Sequence, residues 1–184
     1  MSPRLTKAER WRVICADHEH VGTTYSLAGG TTTYGRLLGR TPRNELAEFD
    51  TLGDPVFDEF RELFRALKPG DPDPNKCFGQ VLGVACDRSP SGKRYAFAGK
   101  IWCPVCSTAN LRTFGPMRPM RFEMIDIPLV THHEWDQLSA AEKRERVREA
   151  LSAIDCLPPR KGPRVFPLDP ELERILETIA KKGA

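Results

Sequence analysis

The stretch Asp54-Pro55-Val56-Phe57-Asp58-Glu59-Phe60-Arg61-Glu62-Leu63-Phe64-Arg65-Ala66-Leu67-Lys68 decides how the rest of the chain is read. Asp54 suits an N-cap, and Pro55 suits the first helical position, where a missing amide has no helical partner to lose. Phe57, Phe60, Phe64 and Leu67 then fall on one face with Leu63 beside them, so the pattern predicts an amphipathic helix over 54–68. Pro69-Gly70 ends it, and the following Asp71-Pro72-Asp73-Pro74 makes a stiff, polar connector.

Beyond the connector the period changes. Phe78 to Cys86 reads as a strand, Ser89-Pro90-Ser91-Gly92 as a turn, and Tyr95, Phe97 and Ile101 as a second strand leading into Trp102-Cys103. Residues 121–130 alternate as a third. Thr131 with Glu134, and Ser139 with Glu142, form capping boxes that open helices carrying Trp135 and Leu138, then Val147, Leu151 and Ile154. Pro158-Pro159 stops the second. A final helix is expected from Asp169 and Pro170 through Leu172, Ile175, Leu176 and Ile179.

Upstream of Asp54 the signals are weaker. Thr6 and Glu9 fit a capping box, whereas Trp11, Val13 and Cys15 alternate as in a strand, and the two readings stand side by side. A short helix is expected after Thr31 or Thr32, through Tyr34, Leu37 and Leu38, and stopped by Gly39. The expected class is α+β: a small central antiparallel sheet flanked by helices. Its segments are an N-terminal part over 1–70, a β-rich core over 75–130 and a helical part over 131–184, packed as one domain.

The chain has 184 residues, 40% hydrophobic and 29% charged, with 16 prolines and 14 glycines, which describes a loop-rich globular protein. No apolar run approaches the ~18 residues of a membrane span. Met1-Ser2-Pro3-Arg4-Leu5-Thr6-Lys7 leads into charged residues and not an apolar signal core, so a soluble, cytoplasmic protein is expected. The net charge of +3 conceals a polarity: residues 77–122 carry +6 and residues 123–138 carry −4. Such a division suits either two facing segments or a surface for a polyanion.

Six cysteines in a chain without a secretion signal are expected to be reduced, and close-spaced ones then favour metal over disulfides. Trp102-Cys103-Pro104-Val105-Cys106-Ser107 places two thiols two residues apart, where a turn's amides can point at both sulfurs. These residues resemble the knuckle of a zinc ribbon, over about half of that motif. The resemblance implies a structural Zn²⁺ and a second ligand pair from elsewhere.

Three sources are available. Cys77 and Cys86 come first, in the same central segment, although eight residues separate them where ribbon knuckles use about two to four. Cys15 and His18, with His20 nearby, would tie the N-terminus to the sheet. His132-His133 is the third. Cys156, beside a Pro-Pro stop, reads as a core residue. A thioredoxin-type redox site, which Trp-Cys-x-x-Cys also resembles, needs a long helix that Gly115-Pro116 and Pro119 preclude. A zinc deaminase needs its His-x-Glu before the cysteines, whereas His132-x-Glu134 follows them.

A closed four-ligand zinc site leaves no position for substrate, so the expected protein is a non-enzymatic binding module that docks on a larger protein or a protein–nucleic acid assembly. Two alternatives remain. Arg88, Lys93, Arg94, Lys100 and Arg112, interleaved with aromatic residues, would bind nucleic acid directly. Asp17-His18-Glu19-His20 would instead hold a catalytic metal.

Overall fold

The computed structural model describes residues 5–29, 32–33, 35–68 and 74–154. The final helix expected from Asp169, and Cys156, lie outside them. The architecture is α+β, with antiparallel sheets and helices packed together.

The spine is β1 (Leu5–Cys15), so of the two N-terminal readings the alternating one is realised. It pairs along one edge with β2 (Val21–Leu27). Along the other it pairs first with β7 (Phe122–Asp126) and then with β6 (Leu111–Pro116). The exchange occurs at Arg10, whose amide donates to the Arg121 carbonyl at 2.9 Å while its carbonyl accepts from the Met117 amide at 3.1 Å. The buried face changes there too: Thr6 and Ala8 are buried before it, Val13 and Cys15, of opposite parity, after it.

A second sheet contains β3 (Thr32–Thr33), β4 (Arg36–Arg40) and β5 (Leu46–Asp50). The helix expected through Leu37 and Leu38 is therefore a hairpin strand. Gly35, at φ +75°, makes the turn from β3 into β4, and Leu37 and Leu38 pair with Phe49 and Glu48 of β5.

The helix expected over 54–68 is α1 (Pro55–Leu67), with the Asp54 carboxylate accepting from the Val56 amide at 3.0 Å. Phe60 and Phe64 of α1 are buried, and its face is completed by a segment that corrects the sequence reading. Residues 78–86 do not form a strand: α2 (Pro74–Val81) runs into a 3-10 turn at Leu82–Ala85. Every residue from Val81 to Cys86 is buried, so the run displays neither strand nor helix periodicity. The Phe78 ring sits 5.2 Å from those of Phe60 and Phe64 and 5.5 Å from Phe57.

Residues 95–101 also fail to form the expected strand. They make one isolated bridge, Ala96 to Arg40, followed by a bend at Ala98 and Gly99 at φ +67°. The third expected strand is realised as the shorter β7, while β6 had no counterpart in the sequence reading.

Short α3 (His133–Asp136) and α4 (Ala140–Ser152) follow. The Ser139–Glu142 capping box forms, but the Thr131–Glu134 box does not. Thr131 donates its hydroxyl to Asp87 instead, and the Asp87 carboxylate accepts the His133 amide at 3.1 Å and the Glu134 amide at 2.8 Å. A carboxylate from a distant loop thus caps α3. His132 spans the same junction: its ring nitrogens lie 2.9 Å from the Asp54 carboxylate and 2.5 Å from the Ala85 carbonyl. Trp135, Phe49, Leu82 and Val147 complete the core around α1. Among the described residues, no helix is long and apolar enough to cross a membrane.

Candidate metal centre

Two turns meet at the end of the β1–β2 hairpin. The first, Cys15 to His20, is closed by the Cys15 amide donating to the His20 carbonyl at 2.9 Å, with Glu19 at φ +54°. The two imidazoles lie on one side of this turn and stack with ring centres 5.2 Å apart.

The second turn carries Cys103 and Cys106. The Cys103 amide donates to the Thr108 carbonyl, and the Ser107 amide to the Cys103 carbonyl, each at 2.8 Å, with Ser107 at φ +60°. Asp17 fastens the turns together by accepting from the Thr108 hydroxyl at 2.8 Å and from the Asn110 side-chain amide. Those two bonds hold its carboxyl below the usual range. The Ala16 amide adds a bond to the Asn110 carbonyl at 3.0 Å.

Cys15, His18, His20 and Cys106 each place a ligand atom within 4.8 Å of the others, a group that can hold a metal ion. The Cys15 sulfur lies 3.7 Å from that of Cys106 and 3.8 Å from His18 Nδ1. Cys103 adjoins the group, its sulfur 4.0 Å from His20 Nδ1. Tetrahedral zinc, with bonds of about 2.3 Å to sulfur and 2.0–2.1 Å to nitrogen, separates two sulfurs by about 3.8 Å and a sulfur from a nitrogen by about 3.6 Å. The Cys15–Cys106 and Cys15–His18 separations are those that one ion requires.

Cys15 and Cys103 are buried. Burial opposes ionisation of Cys103, but the backbone amides of Cys106 and Val105 and the neighbouring thiols outweigh it and lower its pKa. Amides aimed at a sulfur are what a thiolate ligand uses to disperse its charge.

The first-choice partners from the sequence do not join this group. Cys77 and Cys86 belong to the apolar core with Phe60, Phe64 and Trp135. Cys77 is disulfide-bonded, contrary to the expectation that all six cysteines are reduced. Cys86 is a free thiol directed at the Leu82 carbonyl, and burial first, then Asp54 and Asp87, push its pKa well up. Because residues 74–85 coil into helix and turn, they face the helical core and not the strand ends. His132 and His133 are committed to Asp54 and Asp87.

The five basic residues proposed for nucleic acid fall in three separate places of the fold. Arg88, Lys93 and Arg94 occupy the turn after the 3-10 segment, with Arg88 donating to the Gly92 carbonyl at 3.0 Å. Lys100 lies over the Trp102 ring, and Arg112, on β6, pairs with Glu19 at 3.3 Å.

Comparison with protein-family models, with curated proteins and with solved structures finds no match.

Proposed function

We propose that the chain is a non-enzymatic binding module whose strand ends are pinned by one structural Zn²⁺ held by Cys15, His20, Cys103 and Cys106. The observation that carries this reading is the convergence of two turns, 91 residues apart, on sulfur and nitrogen atoms at zinc-like spacing. Cys106 borders both other thiols, His20 lies 4.0 Å from the Cys103 sulfur and Cys103 has the amide cradle, whereas His18, 3.8 Å from the Cys15 sulfur, is the exposed member of the group. Three thiolates and one imidazole close the tetrahedron. A structural rather than catalytic role is supported by the neighbouring carboxylates: Asp17 is engaged by Thr108 and Asn110, and Glu19 by Arg112.

The docking surface is the outward face of β6, β7 and the first residue of β1. Leu5, Phe114, Phe122 and Met124 are 54%, 53%, 45% and 58% exposed. Register places Met124 opposite Lys7 and Phe122 opposite Glu9, on one face of the sheet. The Arg10–Arg121 bond sets which backbone groups of β7 face β1, so those of Phe122 and Met124 face away. A partner protein contributing an extended strand with apolar side chains suits this edge.

Cobalt substitution tests the donor set. Tetrahedral Co²⁺ with intense thiolate charge-transfer absorption, reduced on Cys103→Ser and shifted on His20→Asn but retained on His18→Asn, is the expected result. An octahedral, sulfur-free spectrum would overturn the assignment.

A further inference from the structure

We infer that the strand taken up by the docking edge is β7 of a second copy of this chain, paired antiparallel about a two-fold axis at Met124. This dimer rests on the reading of β6 and β7 as a docking surface and names what docks there. It does not depend on zinc.

Among the described residues β7 has a strand partner on one side only, namely β1. The Arg121 carbonyl bonds Arg10 of β1, so the amides and carbonyls that point outward from β7 are those of Phe122, Met124 and Asp126. An unpaired edge of this kind is a template for another strand. β6 is not. The Met117 amide bonds Arg10, which leaves Phe114 and Pro116 as the outward positions of β6, and the proline has no N–H to give. Pairing is thus confined to β7.

Charge and register choose the occupant. When Met124 faces Met124 of the second copy, Phe122 of each chain lies opposite Asp126 of the other. Lys7 is paired with Met124 on the same face of the sheet, and its ammonium leans over the Phe122 ring, 4.9 Å from the ring centre. Asp126, opposite Leu5, belongs to that face and is exposed. The carboxylate of the second copy therefore arrives beside the ring that Lys7 covers, and the symmetry makes this ion pair twice. At the axis the two Met124 side chains, each 58% exposed in the single chain, cover one another.

The neighbouring registers are worse. One step towards Phe122 sets Glu123 opposite Glu123, like charge against like. One step the other way sets Phe122 opposite Pro128, which cannot donate to it. The edge is only five residues long, and small interfaces are transient, so the dimer forms and dissociates with concentration.

The test is sedimentation of the full chain from micromolar to near-millimolar concentration. The expected mass rises from one chain to two. Lys7→Glu and Asp126→Lys should each weaken the dimer roughly tenfold, and the double variant should restore it. Both residues are exposed, so the variants keep the fold, and equal melting temperatures check this. A single chain at every concentration, or a dimer indifferent to both charge reversals, overturns the second copy as occupant. The docking surface is then read separately, by adding a synthetic strand of alternating valine and threonine to the monomer. Slowed hydrogen exchange at the Phe122 and Met124 amides would keep the docking surface with another partner, and unchanged exchange would remove both readings.

Discussion

Gly22 of β2 and Pro104 of the cysteine turn are packed so closely that a Cβ on Gly22 would lie 2.3 Å from Pro104 Cγ. The turn carrying Cys103 and Cys106 thus rests directly on the hairpin that brings in Cys15 and His20. The proline that stiffens the knuckle is also the surface by which the knuckle is seated.

Gly22→Ala should therefore displace the turn. Overpacking of this kind costs about 1–3 kcal/mol, and here it also separates the metal donors. Lower zinc affinity by chelator competition, together with a lower melting temperature, is expected. Gly115→Ala is the control, because a Cβ at Gly115 meets nothing within 4 Å. Equal effects of the two substitutions would contradict the seating role.

The cysteines should divide by location. Cys103→Ser removes a zinc ligand, and because binding energy in such sites is folding energy, it should lower both zinc content and stability. Cys86→Ala should cost about 1 kcal/mol through lost packing and leave zinc content unchanged. Elemental analysis and thermal melts of both variants separate the cases, and zinc loss on Cys86→Ala would restore the discarded ligand pair.

Asp87 links stability to acid. Burial opposes its ionisation, but the Glu134 amide, the Thr131 hydroxyl and His133 overcome this and hold its carboxyl far below the usual range. A group whose pKa is depressed on folding contributes stability above its unfolded value, about 3.9, and that stability is lost as pH falls toward the folded value. Asp87→Asn, which keeps shape but not charge, should cost about 1–2 kcal/mol at neutral pH. Its melting temperature should approach the parent's only as pH falls well below about 3.9 toward the folded value. Parallel pH profiles would show that the charge contributes nothing.

The contact of the 3-10 turn with the segment around Tyr95 admits no side chain. A Cβ on Gly83 would stand 1.9 Å from the Tyr95 carbonyl oxygen. Backbone cannot yield as a side chain does, so Gly83→Ala should be at least as damaging as Phe60→Ala, for which about 3–5 kcal/mol is expected. Denaturant unfolding of the two variants makes the comparison, and a mild Gly83→Ala would mean that the segment sits further off.

What was legible in the sequence follows from how local each signal is. α1 was readable because its cap, its N1 proline and its apolar stripe all lie within fifteen residues. The Ser139 box was equally local. Residues 78–86 were misread because burial on all sides erases periodicity, and the Thr131 box gave way to Asp87, 44 residues distant. At the metal centre the Cys103–Cys106 half was visible as spacing, while the other half depends on Glu19 turning the chain back and on Asp17 bonding across to Asn110.

The central claim is that one zinc ion closes the two turns. It is tested most directly by the metal content of the full chain purified without added zinc, with thiols titrated before and after chelation. The account predicts about one zinc per chain, with the thiols of Cys15, Cys103 and Cys106 becoming reactive together as the chelator removes it. No bound metal, with those three thiols freely reactive in the folded protein, would contradict it.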